Sequence, residues 1–156
     1  MHRIIFFSVF CFLISSTAWT QTDLPLPRFA SLKSNEVNMR SGPGTQYPIK
    51  WVYNKKEMPV EIIAEFGNWR KVKDFEGSEG WILRNLLSGK RTALITQETI
   101  AYSLYEGENA VLRLGEMVQV LINKCRKSAC EIVFDGTRGW VDKPNLWGVY
   151  IHEKFD

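Results

Sequence analysis

The chain has 156 residues, 20 of them Lys or Arg and 17 Asp or Glu, for a formal charge of +3. So small an excess gives no strongly basic face, and nucleic acid is not expected as a partner. The length suits one compact domain or two small ones.

His2-Arg3 precedes an apolar run from Ile4 to Ile14, and Ser15-Ser16-Thr17-Ala18 follows. A short positive start, an apolar stretch and small residues beyond it predict a secretory signal peptide over residues 1–20. The run is shorter than the roughly 20 apolar residues that span a bilayer. Two cleavage points fit, one after Ala18 and one after Thr20. Phe10 stands before Cys11 where lipidation needs a small residue, so no lipid anchor is expected. The mature chain is then periplasmic or secreted, without an integral membrane span.

The next block is Val37-Asn38-Met39-Arg40-Ser41-Gly42-Pro43-Gly44-Thr45-Gln46-Tyr47-Pro48. Glycine frees φ and proline fixes it, so the chain must leave its strand after Arg40 and fold back as an irregular loop. Val60, Ile62 and Ala64 then alternate with Glu61, Ile63 and Glu65, the pattern of a strand with one apolar and one wetter face. Phe66-Gly67-Asn68 and Glu76-Gly77 read as hairpin turns, and Gly80-Trp81-Ile82 closes the unit.

After the polar link Ser88-Gly89-Lys90-Arg91-Thr92, much of this order returns. Glu116-Met117-Val118-Gln119-Val120-Leu121 matches Glu57-Met58-Pro59-Val60-Glu61-Ile62-Ile63 if Pro59 is an insertion. Phe134-Asp135-Gly136-Thr137-Arg138-Gly139-Trp140 matches Phe75-Glu76-Gly77-Ser78-Glu79-Gly80-Trp81. Asp135-Gly136 is a strong type I′ turn signal. An internal repeat of this kind predicts two copies of one small unit. The architecture is all-β, with at most single 3₁₀ turns before the last strand of each copy. So short a link should hold the two units in contact. The second copy has Tyr102-Ser103-Leu104-Tyr105 in place of the Arg-Ser-Gly-Pro run.

Cys11 leaves with the signal peptide, so Cys125 and Cys130 remain. In an exported chain an even count favours a disulfide, here across the mouth of a hairpin. A redox-active pair is the rival, although the spacing is not C-x-x-C. Two thiols without a neighbouring His fall short of a zinc site. No metal and no cofactor is expected.

Enzyme signatures are missing: there is no G-x-S-x-G, H-E-x-x-H, Walker loop or dinucleotide fingerprint. The one histidine of the mature chain, His152, lies in a tail over 152–156 that is expected to fray. A glycosidase using carboxylates alone stays open by motif, yet barrels so small leave little room for a deep cleft. The chain is read as non-catalytic. Aromatic residues are the better lead, and flat rings offer apolar contact at low entropic cost. Trp81 and Trp140, each following a glycine on a closing strand, are expected in the core.

The succession of an "N-x-R-x-G-P-x-x-x-Y-P" block, a valine-rich hairpin and a Gly-Trp-Ile strand resembles the bacterial Src-homology-3-like (SH3-like) family. The resemblance covers nearly the whole mature chain. It implies two tandem small SH3-like β-barrels, over 28–90 and 91–151, in an exported protein of a Gram-negative envelope. It also implies binding through a shallow peptide groove near the first long loop, with Arg40, Tyr47, Trp51, Tyr53 and Trp69 as candidates. The implied ligand is peptide-like, with peptidoglycan stem peptides as one candidate. The alternative is a structural or adaptor protein that docks another envelope protein through a sheet edge.

Overall fold

The computed structural model describes residues 24–156. The expected signal segment 1–20, with cleavage after Ala18 or Thr20, lies outside the described residues. Among the described residues there are fourteen β-strands, two 3₁₀ turns and no α-helix. The first seven strands are β1 (Arg28–Leu32), β2 (Val37–Arg40), β3 (Ile49–Tyr53), β4 (Pro59–Phe66), β5 (Trp69–Lys73), β6 (Glu79–Leu83) and β7 (Leu87–Ser88). The second seven are β8 (Thr92–Ile95), β9 (Thr99–Tyr102), β10 (Ala110–Leu114), β11 (Gln119–Cys125), β12 (Ala129–Phe134), β13 (Thr137–Asp142) and β14 (Leu146–Trp147). A 3₁₀ turn precedes the last strand of each set, at Arg84–Leu86 and Lys143–Asn145.

The strands pair antiparallel in the orders β3-β2-β6-β5-β4-β1-β7 and β10-β9-β13-β12-β11-β8-β14. The second order is the first with seven added to every label. The chain is therefore two tandem small β domains with one topology. Each encloses its own core: Leu32, Val37, Val60, Val72 and Ile82 in the first, Ile95, Leu114, Val120, Ile132 and Val141 in the second.

Backbone hydrogen bonds fix the correspondence between copies more finely than the sequence does. Glu57 N–H donates to the Leu32 carbonyl at 2.7 Å, and Met117 N–H donates to the Ile95 carbonyl at 2.8 Å. Both residues have φ of 63°. Glu57 thus corresponds to Met117, and the match to Glu116-Met117 is one residue out of step. No insertion at Pro59 is needed, since Pro59 lies opposite Ser31 as Gln119 lies opposite Leu94.

Each long hairpin carries a bulge at the same place. In β4 the register shifts between Ile62 and Ala64, and in β11 between Ile122 and Lys124. One extra residue reverses the facing of all that follow. Glu65 therefore turns inward, opposite the buried Arg70, instead of lying on the wetter face that plain alternation assigns it. The same shift turns Cys125 inward, opposite Cys130.

The two closing strands place their tryptophans differently, Trp140 buried as expected and Trp81 not. In β6, Gly80 and Ile82 face inward while Trp81 is half-buried on the other face, outside the apolar core. Trp81 is not a core residue because alternation allows only one of Trp81 and Ile82 inside. Trp140 is buried at 7% exposure, as expected, although it is not part of the apolar cluster around Ile132. Tyr105 packs edge-on against it at 5.1 Å, and Arg126 and Lys124 lie over its ring. Gly80 is needed where β6 crosses β2: a Cβ there would sit 2.5 Å from Met39 Cγ and 2.8 Å from the Arg40 carbonyl.

The two domains touch along a continuous seam. Phe29 packs against Trp147 and Tyr150 with centroids 5.2 and 4.8 Å apart, and Phe75 meets Trp147 at 5.7 Å. Tyr150 donates its hydroxyl to Glu61 at 2.8 Å, and Thr92 Oγ1 donates to the Glu57 carbonyl at 2.8 Å. The C-terminal tail is tied down rather than frayed. Phe155 exchanges two backbone hydrogen bonds with Cys125. Glu153 pairs with Arg91, and the buried Lys143 ammonium donates to the Ile151 and Glu153 carbonyls. His152 stacks on Tyr150 at an interplanar angle of 14°.

Candidate functional site

Arg40 leaves β2 and turns back over the loop it precedes. Its Nη1 donates to the carbonyls of Thr45 at 3.2 Å and Tyr47 at 2.9 Å. Ser41 N–H closes the loop onto the Pro48 carbonyl at 3.0 Å. The Tyr47 ring lies against Gly42, where a Cβ would approach its carbons to 2.5–2.6 Å. Arg40 thus works on the loop's own backbone, and Gly42 is required by the ring above it.

The loop delivers the chain into β3, the edge strand of the first sheet, which pairs only with β2. Ile49, Trp51 and Val52 are all exposed, with Trp51 at 56%. An indole that open on an edge strand is unusual for a residue with so much apolar area to hide. The strand's free side presents unpaired backbone groups, and an edge of this kind accepts another extended chain.

Where β3 ends, a cavity of about 330 Å³ opens between the strand, the loop over 74–78 and the second domain. Trp51, Tyr53, Phe75 and Met58 form apolar walls, and Met117 reaches in from the second domain. Asp74, Glu76, Asn54 and Ser78 supply the polar groups, and no lining side chain is basic. Asp74 is buried and organises the loop. Its Oδ2 accepts from the Tyr53 hydroxyl at 2.8 Å, and its Oδ1 accepts from Ser78 N–H at 2.8 Å. Burial first, then the hydrogen bond to Asp74 and the charges of Asp74 and Glu76, push the Tyr53 phenol well above its ordinary pKa. Tyr53 therefore stays a neutral donor, with its hydroxyl already engaged.

The residues singled out in the sequence divide among three places. Trp51 and Tyr53 meet in the cavity, although Tyr53 is 4% exposed and offers only part of its ring. Arg40 and Tyr47 share the loop. Trp69 lies half-buried on β5, opposite Phe66 and Leu83, and does not line the cavity. Sequence reasoning missed Phe75, Asp74 and Met117. A signal for Asp74 existed in the Asp-Phe-Glu-Gly-Ser turn, whereas Met117 arrives from the other domain. The second copy lacks these features. The residue matching Trp51 in register is Leu112, half-buried, and Arg113 in place of Val52 pairs with Glu98.

Cys125 and Cys130 form a disulfide with Cα atoms 4.1 Å apart. The first domain carries the Glu65–Arg70 ion pair at the same register position, with Arg70 Nε 3.1 Å from Glu65 Oε1. One hairpin mouth is clasped by charge, the other by a covalent bond. Among the described residues, no group of three or more His, Cys, Asp or Glu side chains is placed to hold a metal ion. None of their helices is long and apolar enough to cross a membrane.

Residues 33–89 match the family model for the bacterial SH3 domain. The first barrel is a bacterial SH3 domain. The match starts just after β1, although β1 pairs with both β4 and β7 and so completes this SH3 domain. A curated relative, YrvJ of Bacillus subtilis (strain 168), is named as a candidate N-acetylmuramoyl-L-alanine amidase and is 28% identical over 116 residues. That alignment covers 72% of this chain and 22% of the relative, so the chain spans about a fifth of that protein's length. Among solved structures, NlpC1 from Trichomonas vaginalis is 15% identical, with 86% of this chain and 50% of that one covered and a TM-score of 0.37. An NLPC/P60 family protein from Bacillus cereus is 12% identical, with coverage of 77% and 56% and a TM-score of 0.36. At those values neither structure bears on ligand or activity.

Proposed function

We propose that this protein is an exported, non-catalytic binding module of the cell envelope. Its first domain holds a peptide-like ligand, with peptidoglycan stem peptides as the leading candidate. The observation that carries the reading is Trp51, 56% exposed on an unpaired edge strand and forming one wall of a cavity. An extended peptide laid along β3 would gain main-chain hydrogen bonds, and alternate side chains would reach the indole and the cavity. The bacterial SH3 match and the relative named for N-acetylmuramoyl-L-alanine support a ligand from the cell wall. The second domain supports the first through the seam and through Met117.

The test is a pull-down of the mature protein on purified sacculi, with the bound fraction followed against protein concentration. Saturable retention supports the reading. A single stoichiometric protein partner in the envelope fraction, with no retention on sacculi, replaces it with the adaptor reading, in which β3 pairs with a strand of that partner.

A further inference from the structure

We infer that a second cavity, between the β1–β4 face and the inter-domain linker, binds the carboxylate end of a peptide whose last side chain is apolar. The cavity has a volume of about 450 Å³ and shares no lining residue with the one beside Trp51. That volume suits one or two residues. Four arginines line it, Arg28, Arg70, Arg84 and Arg91. Apolar side chains, among them Leu24, Ile62 and Leu87, make up much of the rest.

The charges there do not balance. Glu65 takes Arg28 and Arg70, and Glu153 takes Arg91. Arg84 is exposed, and its side chain has no partner among the described residues. Among the described residues, four cations stand against two carboxylates, an excess of two. Burial pulls the Arg70 guanidinium below its ordinary pKa, Glu65 opposes this, and the nearby Arg28 and Arg84 add to it. The positive charges therefore repel one another across the site.

Two donors confirm the deficit. Arg70 is 1% exposed, and its Nη2 has no hydrogen-bond partner; the Nε of Arg91 is also buried and unpartnered. Buried donors are almost always paired, and each exception asks for an explanation such as an absent ion or ligand. Of the four buried side-chain atoms without a partner among the described residues, these two belong to residues lining this cavity, and the other two, Ser31 Oγ and Gln119 Oε1, do not. A planar guanidinium fork matches a carboxylate. The apolar lining favours an anion that carries a hydrocarbon group, which free phosphate does not. A peptide C-terminus with a side chain such as leucine supplies both.

The experiment is NMR titration of the mature protein with N-acetyl-Ala-Ala-Leu as the free acid and as the C-terminal amide, at constant ionic strength. The acid should saturate, shifting backbone amides over 28–30 and 84–89, and the amide should bind at least about tenfold more weakly. Arg84→Gln, an exposed change, should weaken the acid about tenfold and leave sacculus binding through β3 unchanged. Equal binding of acid and amide overturns the inference, as does Arg84→Gln without effect. Displacement by inorganic phosphate at equal concentration would mark an adventitious anion site only. Shifts confined to the Trp51 cavity would place the peptide in the other site.

Discussion

Removing the ionic clasp of the first domain should reveal what the disulfide does in the second. Arg70 is 1% exposed, with Nε on Glu65 at 3.1 Å and Nη1 on the Gly67 and Trp69 carbonyls at 2.8 and 2.9 Å. Arg70→Met removes one ion pair and two hydrogen bonds and leaves Glu65 with a 6%-exposed side chain and one fewer cation. Breaking a buried pair on one side costs about 3–5 kcal/mol. Because Glu65 keeps Arg28, the lower end applies, about 3 kcal/mol. Replacing both partners, as Glu65→Leu with Arg70→Met, removes both charges of the pair, leaves only the 19%-exposed Arg28 without its carboxylate, and should cost clearly less than the single change. Glu65→Cys with Arg70→Cys recreates the cross-strand register of Cys125–Cys130 and should oxidise to a disulfide. Denaturant unfolding, followed by tryptophan fluorescence, reads all three variants. The reasoning fails if Arg70→Met is neutral, or if the double apolar variant is as unstable as the single one.

Three further outcomes follow from the same structure. Replacing Cys125 and Cys130 by Ser should cost roughly 2 kcal/mol, because the closed loop is short, and the loss should show in denaturant melts of the oxidised protein against the variant. Gly80→Ala forces a methyl group against Met39 and a backbone carbonyl, and should cost about 1–3 kcal/mol in the same assay. The Glu153 carboxyl is pushed up by burial, but hydrogen bonds from Arg91 and the Tyr150 backbone bring it below the usual range. Its contribution is therefore present above the unfolded value of about 4.3 and lost as pH falls through the lower folded value. Amide protection factors over 150–155, taken relative to the intrinsic rate at each pH, should then fall on acidification through that window, and Glu153→Gln should show low protection already at neutral pH.

The strands were legible because their residues alternate, and the Asp135-Gly136 turn because both residues take positive φ, 46° and 76°. The cysteine pair was legible from count and compartment. Which face of a closing strand points inward was not, since Trp81 and Ile82 are both apolar and alternation alone does not choose between them. The inward Glu65 depends on a bulge at Ile63, and nothing in Ile-Ile-Ala-Glu announces one. Arg70 in Trp-Arg-Lys-Val reads as a solvated strand position until the bulge sets Glu65 opposite it. Of the candidate site, Trp51 and Tyr53 could be named early because they flank the loop. The wall from Met117 and the seam of Phe29, Trp147 and Tyr150 join residues distant in sequence, and only the packing of one domain on the other brings them together.

The exposed indole of the first domain bears the central claim, and one binding isotherm tests it. Trp51 is exposed and outside the core, so Trp51→Ala should keep the thermal midpoint within a few degrees, in line with the small effects of surface changes. A stacked aromatic anchor typically costs more than about 1 kcal/mol when truncated, so the dissociation constant on purified sacculi should rise at least about fivefold. Retention of Trp51→Ala equal to that of the unchanged protein, with an unaltered melt, would contradict the β3 groove as the binding site.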